Sequence, residues 1–336
     1  AHMSAVATAS AKPAKARGRA SMPTILFAAV AALAVGFAIP AVIPSQLMQS
    51  LVAQALFDAL LASSVGFLLL QNGRVSFGQA AFFGLGGYIF GVLVARQWMA
   101  AEAALILALV APTVIAFLLG LVIARITGVA HAMLTLAVGQ AFYEVVFRWR
   151  ELAKGDDGMS FSLPSHLFGL PTRALQEPGW MVVITWTILV IALTGLTLFA
   201  RSRTGQIAAA IRDNEERARF IGYSIALPRA LVYAIAALLA ATAGILQAVY
   251  NGYIGPQMFH WTLSGFALIM AIIGGAKFIL GPAIGALALF FLKDLAGQAA
   301  EYWPAIVGGV LVVVTLLMPQ GLVGVLRRIF ARGARR

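Results

Sequence analysis

Apolar residues run along the chain in blocks long enough to cross a bilayer, divided by short polar turns. A helix needs about 20 consecutive apolar residues to span a hydrocarbon core of about 30 Å. Ten blocks approach that length, at residues 24–43, 47–70, 77–95, 103–124, 128–148, 179–199, 229–250, 262–276, 279–297 and 304–320. The third and eighth are rich in glycine and read as helices that are broken or re-enter from one side. The pattern predicts an all-α polytopic membrane protein with about ten transmembrane helices. Two polar stretches exceed a tight turn, one at about 149–179 and one at about 201–228.

Composition agrees with this pattern. Hydrophobic residues make up 61% of the chain and charged residues only 11%, against about 25% charged in soluble domains. So few charges cannot solvate a surface, so the surface faces membrane lipid. The net charge of +12 raises the question of nucleic acid. The cations sit between apolar blocks, however, where Lys and Arg mark cytoplasmic loops. No nucleic-acid partner is expected.

Placing the N-terminus inside puts most Lys and Arg on that side: Lys12, Lys15, Arg17 and Arg19, then Arg74, Arg125 and the 201–229 cluster, then Lys277 and the final arginines. Both termini are expected to be cytoplasmic. Ala1-His2-Met3 reads as a tag remnant. The expected order is a flexible basic arm (1–22), a transmembrane domain (23–326) and a basic tail (327–336). With no cysteine, and four histidines in no metal motif, no metal site is expected.

The inner stretch is polar yet carries helix signals. Ile207 and Ile211 lie four apart on one face. Asp213 followed by Glu216 reads as a capping box. Glu215 and Glu216 open a second helix, Arg217 and Arg219 follow in the order the dipole favours, and Gly222 ends it. One or two short helices on the cytoplasmic face are expected. Spacing leaves open whether they rest on lipid head groups or couple to a cytoplasmic motor.

Six motifs in order add to this reading. Gly205-Gln206-Ile207-Ala208-Ala209-Ala210-Ile211-Arg212-Asp213-Asn214-Glu215-Glu216-Arg217-Ala218 resembles the cytoplasmic loop of the branched-chain amino acid and urea permeases of ABC importers. Ser76 to Tyr88 resembles that family's first glycine-rich motif, and Gly128 to Ala137 its "FAM-TLA" helix. Gly155-Asp156-Asp157-Gly158 sits where the family has a glycine-rich outer loop. Ile272 to Ala276 with Gly281 to Ala286 resembles its second glycine motif, and Pro319 to Gly324 its C-terminal signature. His131 and Lys277 depart from the pattern.

The resemblance spans about 47–327 and points to the LivM-like member of a permease pair, with a type II-like importer fold. It implies a homologous permease subunit, two ABC ATPase subunits and a periplasmic substrate-binding protein as partners. ATP and Mg would sit on the ATPases, with no cofactor in this chain and no enzymatic activity of its own. The chain contains no G-x-x-x-x-G-K-[ST] phosphate loop. The resemblance assigns ATPase coupling to Gly205, Ile211, Arg212, Asp213, Asn214, Glu215, Glu216 and Arg217.

Within the membrane, small residues let helices approach closely. Gly78, Gly84, Gly86, Gly87, Gly274, Gly275, Gly281 and Gly285 are expected to pack helices or line a pathway. Their similar places in the two halves suggest a weak internal repeat. Asp58, midway along the second block, needs a partner or water. With Gln79, Thr135, Gln140 and Glu144 it is a candidate for the translocation pathway. Lys293, Asp294 and Glu301 read as snorkelling groups near an outer end. Asp156 and Asp157 read either as a contact for a binding protein or as a solvated turn.

The expected function is import of branched-chain or related amino acids. Urea, short amides, aromatic acids and sugars are alternative substrates. An ion-coupled secondary transporter built around Asp58 is the rival of another class, ahead of a channel.

Overall fold

The computed structural model describes residues 22–167, 169–299, 303–318 and 320–333. The arm before Met22, Glu301, Pro319 and the last three arginine-rich positions lie outside them. Among the described residues the helices are α1 (Met22–Val42), α2 (Gln46–Asn72), α3 (Gln79–Ala95), α4 (Ala101–Ile123), α5 (Gly128–Arg148) and the single turn α6 (Arg150–Ala153). Then come α7 (Thr172–Gln176), α8 (Pro178–Arg201), α9 (Arg203–Asp213), α10 (Glu215–Phe220) and α11 (Ala226–Asn251). The chain continues with α12 (Trp261–Gly274), α13 (Gly281–Ala299), α14 (Trp303–Leu317) and α15 (Gly321–Gly333).

Six of these helices, α1, α2, α4, α5, α8 and α11, are long and apolar enough to cross a membrane. The two glycine-rich blocks become shorter apolar helices, α3 with 17 residues and α12 with 14. At about 1.5 Å per residue neither covers a full hydrocarbon core. The last two blocks become α13 and α14. The fold is not purely helical. Strands β1 (Met159–Ser160) and β4 (Tyr253–Ile254) pair antiparallel, as do β2 (His166–Leu167) and β3 (Leu170–Pro171).

Helices α2 and α11 form the buried centre. Both are dense in small residues: Ala53, Ala55, Ala59, Ala62, Ser63, Ser64 and Gly66 on α2 are buried, as are Ala236, Ala237, Ala240, Ala241, Ala243 and Gly244 on α11. Small side chains let neighbours close in on every side. Accordingly α2 packs against α8, α11, α12 and α13, and α11 against α2, α3 and α4. Phe57, Phe82, Phe90 and Phe259 fill the remaining core volume.

Side-chain pairs fix the directions. Ser50 meets Tyr250 at 2.7 Å, and Asn72 donates to the Arg229 carbonyl at 3.3 Å, so α2 and α11 are antiparallel. Each ends in Asn-Gly, with Gly73 and Gly252 left-handed at φ 66° and 60°. A non-helical segment then turns into the bundle and starts a short helix, α3 after α2 and α12 after α11. Helix α3 runs alongside α11, with Phe82 against Tyr233 and Gly91 against Ile254. Helix α12 runs with α2. The chain therefore uses one plan twice, in opposite directions. The segments 73–78, 124–127, 201–225 and 275–280 share one end, called here the basic end, and 149–177 lies at the other.

Glycine is required where backbones touch. A Cβ on Gly244 would collide with the Phe83 carbonyl, locking α3 to α11. On Gly285 it would strike the Met270 carbonyl, and on Gly274 and Gly281 the facing backbone of the same α12–α13 hairpin. Gly86 and Gly87 meet α11, Gly84 meets Phe259, and Gly275 meets Gln320. Gly78 lies 3.0 Å from the Thr135 carbonyl, measured from an added Cβ. At all eight glycines singled out in the sequence an added Cβ would come within about 3 Å of a neighbouring atom.

Candidate functional site

The polar stretch at the basic end folds onto the helix ends rather than hanging from them. Ser202 caps α9 by accepting from the Gly205 amide at 3.2 Å. Gly205 is wedged against the Phe199 carbonyl. Ala208 and Ile211 bury the apolar face of α9 against α2, α8 and α11. Asn214, not Asp213, caps α10, accepting from the Arg217 amide at 2.8 Å. Asn214 has the extended backbone (φ −157°, ψ 101°) of a cap, whereas Asp213 still belongs to α9. The corrected boundary separates two helices at a single residue.

Two ties then hold this pair of helices. Arg212 reaches across the end of α2 to the Leu70 carbonyl and also donates to Asp213 at 2.8 Å. A cation there satisfies a helix C-terminus. Glu215 turns inward. It accepts from Arg229 at 2.9 Å and lies 3.5 Å from Arg74 and 3.2 Å from Arg219. Arg74 and Arg229 each also donate to the Ala124 carbonyl at 2.9 Å. Their side chains are only 8% and 6% exposed. One carboxylate and one carbonyl thus join α10, α11, the α2–α3 turn and the end of α4.

The electrostatics follow from this geometry. Burial alone would raise the Glu215 carboxyl. The Arg229 hydrogen bond and the charges of Arg229, Arg74 and Arg219 outweigh it and hold the group below its ordinary 4.5. Arg74 is pushed down to about 10, first by burial and then by the like charge of Arg229, against the pull of Glu215. Glu216 and Arg217 face outward, as does Asp213 beside its bond from Arg212. So do Phe220, 90% exposed, Ile221 and Tyr223.

The five candidate pathway residues lie in three places. Gln79 is fully buried and bonds Ser64 at 3.0 Å. Thr135 accepts from the Phe77 amide at 3.1 Å, while Ser264 accepts from the Ala80 amide at 2.8 Å. These groups satisfy the backbone where the chain re-enters the bundle ahead of α3. Gln140 is half-buried on α5, and Glu144 pairs with Arg148 at 3.0 Å. Asp58 stands apart, in a cavity with Lys293 between α2, α12 and α13. Lys293 therefore points along a groove between helices and is not simply snorkelling to an end.

At the opposite end, Asp156 and Asp157 form an exposed 3-10 turn. The turn is fixed rather than loose. Tyr253 donates to the Asp157 carbonyl at 3.1 Å, and Met159 pairs with Ile254.

This arrangement sits within a match to known sequences. Residues 47–316 match the family described as the permease component of branched-chain amino acid transport systems. The chain belongs to that family. Relatives include the high-affinity branched-chain amino acid transport system permease LivM of Salmonella typhimurium, 25% identical over 276 residues, which are 76% of this chain and 65% of the relative. LivH of Escherichia coli K12 is 26% identical over 278 residues, 78% of this chain and 90% of LivH. The autoinducer 2 import permease LsrC of Klebsiella pneumoniae is 28% identical over 179 residues, half of each chain. The chain thus spans less than two-thirds of the length of LivM, 65%, and most of the length of LivH. No solved structure matches it.

For a member of this permease family, the residues that sequence reading missed are Arg74, Arg229 and Lys293. In the sequence the first two mark only sidedness. Their signal was available: each abuts an apolar helix, where an arginine needs a fixed acceptor.

Proposed function

We propose that this chain is the membrane-spanning permease subunit of an ATP-driven importer for branched-chain or related amino acids. The observation that carries the reading is the α9–α10 platform. It is tied to the ends of α2, α4 and α11 by Glu215, Arg74, Arg229 and Arg212. It also presents Asp213, Glu216, Arg217, Phe220 and Ile221 outward. A rigid platform joined to core helices is what a cytoplasmic motor needs in order to move them. The likeness to LivM and LivH, permeases of high-affinity branched-chain amino acid transport systems, supports the substrate class.

In this reading α3, α12, α13 and α14 complete ten passes with the six long helices. The cations gathered at the basic end favour a cytoplasmic position for both termini, in a bacterial inner membrane. Two ATPase subunits, carrying ATP and Mg, dock on this chain and on a homologous permease, and a periplasmic binding protein delivers solute at the end bearing Asp156 and Asp157. The chain itself catalyses no reaction. An ion-coupled carrier would leave the α9–α10 platform without a role. Purification of the chain from its native membrane tests the proposal. Recovery with two ATPase copies and a second permease is expected; an active transporter of this chain alone would overturn it.

A further inference from the structure

Between α2 and α13 lies a groove of about 390 Å³, lined by Gln54 on α2 and by Lys293, Asp294 and Gln298 on α13. It shares Lys293 and Phe290 with a narrower cavity of about 50 Å³ that holds Asp58. Leu61, Phe266, Met270 and Leu289 wall that cavity with apolar surface. The Lys293 ammonium stands 5.2 Å above the Phe266 ring, and Gln298 donates to Asp294 at 3.0 Å. Toward the basic end the helices shut, because Gly66 is pressed onto Pro282. The groove is therefore open toward one end of the molecule and floored below Asp58.

Depth makes this polarity informative. At about 1.5 Å per residue, Asp58 lies about 18 Å from the start of α2, whereas Lys293, on the oppositely directed α13, lies about 9 Å from the end of its helix on that side. A charge held against hydrocarbon at the depth of Asp58 costs at least about 2.5 kcal/mol. A face carrying Lys293, Asp294, Gln54 and Gln298 thus fronts water or a polar solute rather than lipid. Its chemistry is also selective. Asp58 and Asp294 repel a simple anion, Lys293 repels a simple cation, and the floor accepts hydrocarbon.

We propose that the α2–α13 groove binds a zwitterionic α-amino acid with an apolar side chain. Lys293 holds the carboxylate, Asp58 and Asp294 hold the ammonium group, and the side chain lies on Leu61, Phe266 and Leu289. The groove volume lies within the usual range for small-ligand sites, about 300–1,000 Å³. This inference rests on the proposed import of amino acids and assigns that cargo a place in this chain.

The chain has no cysteine, so an introduced thiol is the only one it carries. In native membrane vesicles holding the full complex, Gln54→Cys and Gly297→Cys are labelled with a charged thiol reagent. L-leucine is expected to slow labelling several-fold at both positions. Isovalerate, which lacks the amine, and isopentylamine, which lacks the carboxylate, are expected to have no effect, and Met133→Cys on α5 to be unprotected. Lys293→Gln should raise the KM for leucine uptake about tenfold or more at unchanged yield, and Lys293→Arg should restore most of it. Vesicles that accumulate leucine while neither groove thiol is protected, or while Lys293→Gln transports normally, overturn the proposal and leave the importer reading standing. Vesicles of the unsubstituted chain that accumulate no amino acid overturn both.

Discussion

Glu215 on α10 accepts a 2.9 Å hydrogen bond from Arg229 on α11, joining the surface loop to the central helix of the bundle. Arg229 and Arg74 both converge on this carboxylate, and both are buried. Glu215→Ala leaves two desolvated guanidinium groups without their counter-charge. Breaking a fully buried pair costs about 3–5 kcal/mol. With Glu215 26% exposed, a loss of roughly 2–3 kcal/mol is expected. Outward-facing Glu216→Ala should stay within about 0.5 kcal/mol. Thermal unfolding of the detergent-solubilised protein checks the pair; equal losses would show that the inward turn of Glu215 carries no weight.

The same carboxylate sets a pH dependence. Its pKa in the folded chain lies below the ordinary 4.5. A depressed acid contributes stability that is fully present above its unfolded value and is lost as pH falls through the folded one. Unfolding temperature should therefore be insensitive to this group above about pH 5.5 and fall below about 4.5. Glu215→Gln should flatten the acid limb. An unchanged limb in that variant would assign the acid sensitivity to other groups.

Close backbone contacts make a second, independent prediction. Gly244 has no room for a side chain because of the Phe83 carbonyl, whereas Gly195 on α8 has no atom within 4 Å of an added Cβ. Gly244→Val should lower the yield of folded protein and cost at least 1–3 kcal/mol, the usual range for overpacking. Gly195→Ala should be near neutral. Size-exclusion profiles and unfolding curves of the two variants decide the matter, and similar behaviour would contradict the α3–α11 contact.

These contacts show which features the sequence could reveal. Long apolar runs such as 47–70 and 229–250 marked α2 and α11, because lipid imposes length and composition on a spanning helix. Gly86 and Gly244 could be recognised as small but not as partners, since their pairing depends on how the chain returns on itself. The cap fell one residue from its expected place, since Asp213 and Asn214 both suit a cap and only backbone geometry distinguishes them. Glu215 and Glu216 look alike in sequence, yet one faces Arg229 and the other solvent. Lys293 and Asp58 are far apart in the chain and share a cavity only through the packing of α2 on α13.

Sidedness has a direct check. Ser162 and Ser224 are both exposed and lie at opposite ends of the bundle. In the cysteine-free chain, Ser162→Cys should react with an impermeant reagent in intact cells. Ser224→Cys should react only after the membrane is opened. Equal labelling of both in intact cells would contradict the ten-pass arrangement with a cytoplasmic α9–α10 platform.

The most direct measurement is leucine uptake by proteoliposomes holding the full complex, made with the unsubstituted chain and with Phe220→Ser combined with Glu216→Arg. Both side chains are exposed on α10 and outside the Glu215 network. Unsubstituted complexes should accumulate leucine only with ATP inside the compartment where the platform lies. The double variant should insert and unfold normally yet lose most ATP-driven uptake. Full uptake in the double variant with its ATPase still bound, or uptake driven by an ion gradient without ATP, would contradict the role of this chain as the permease of an ATP-driven importer.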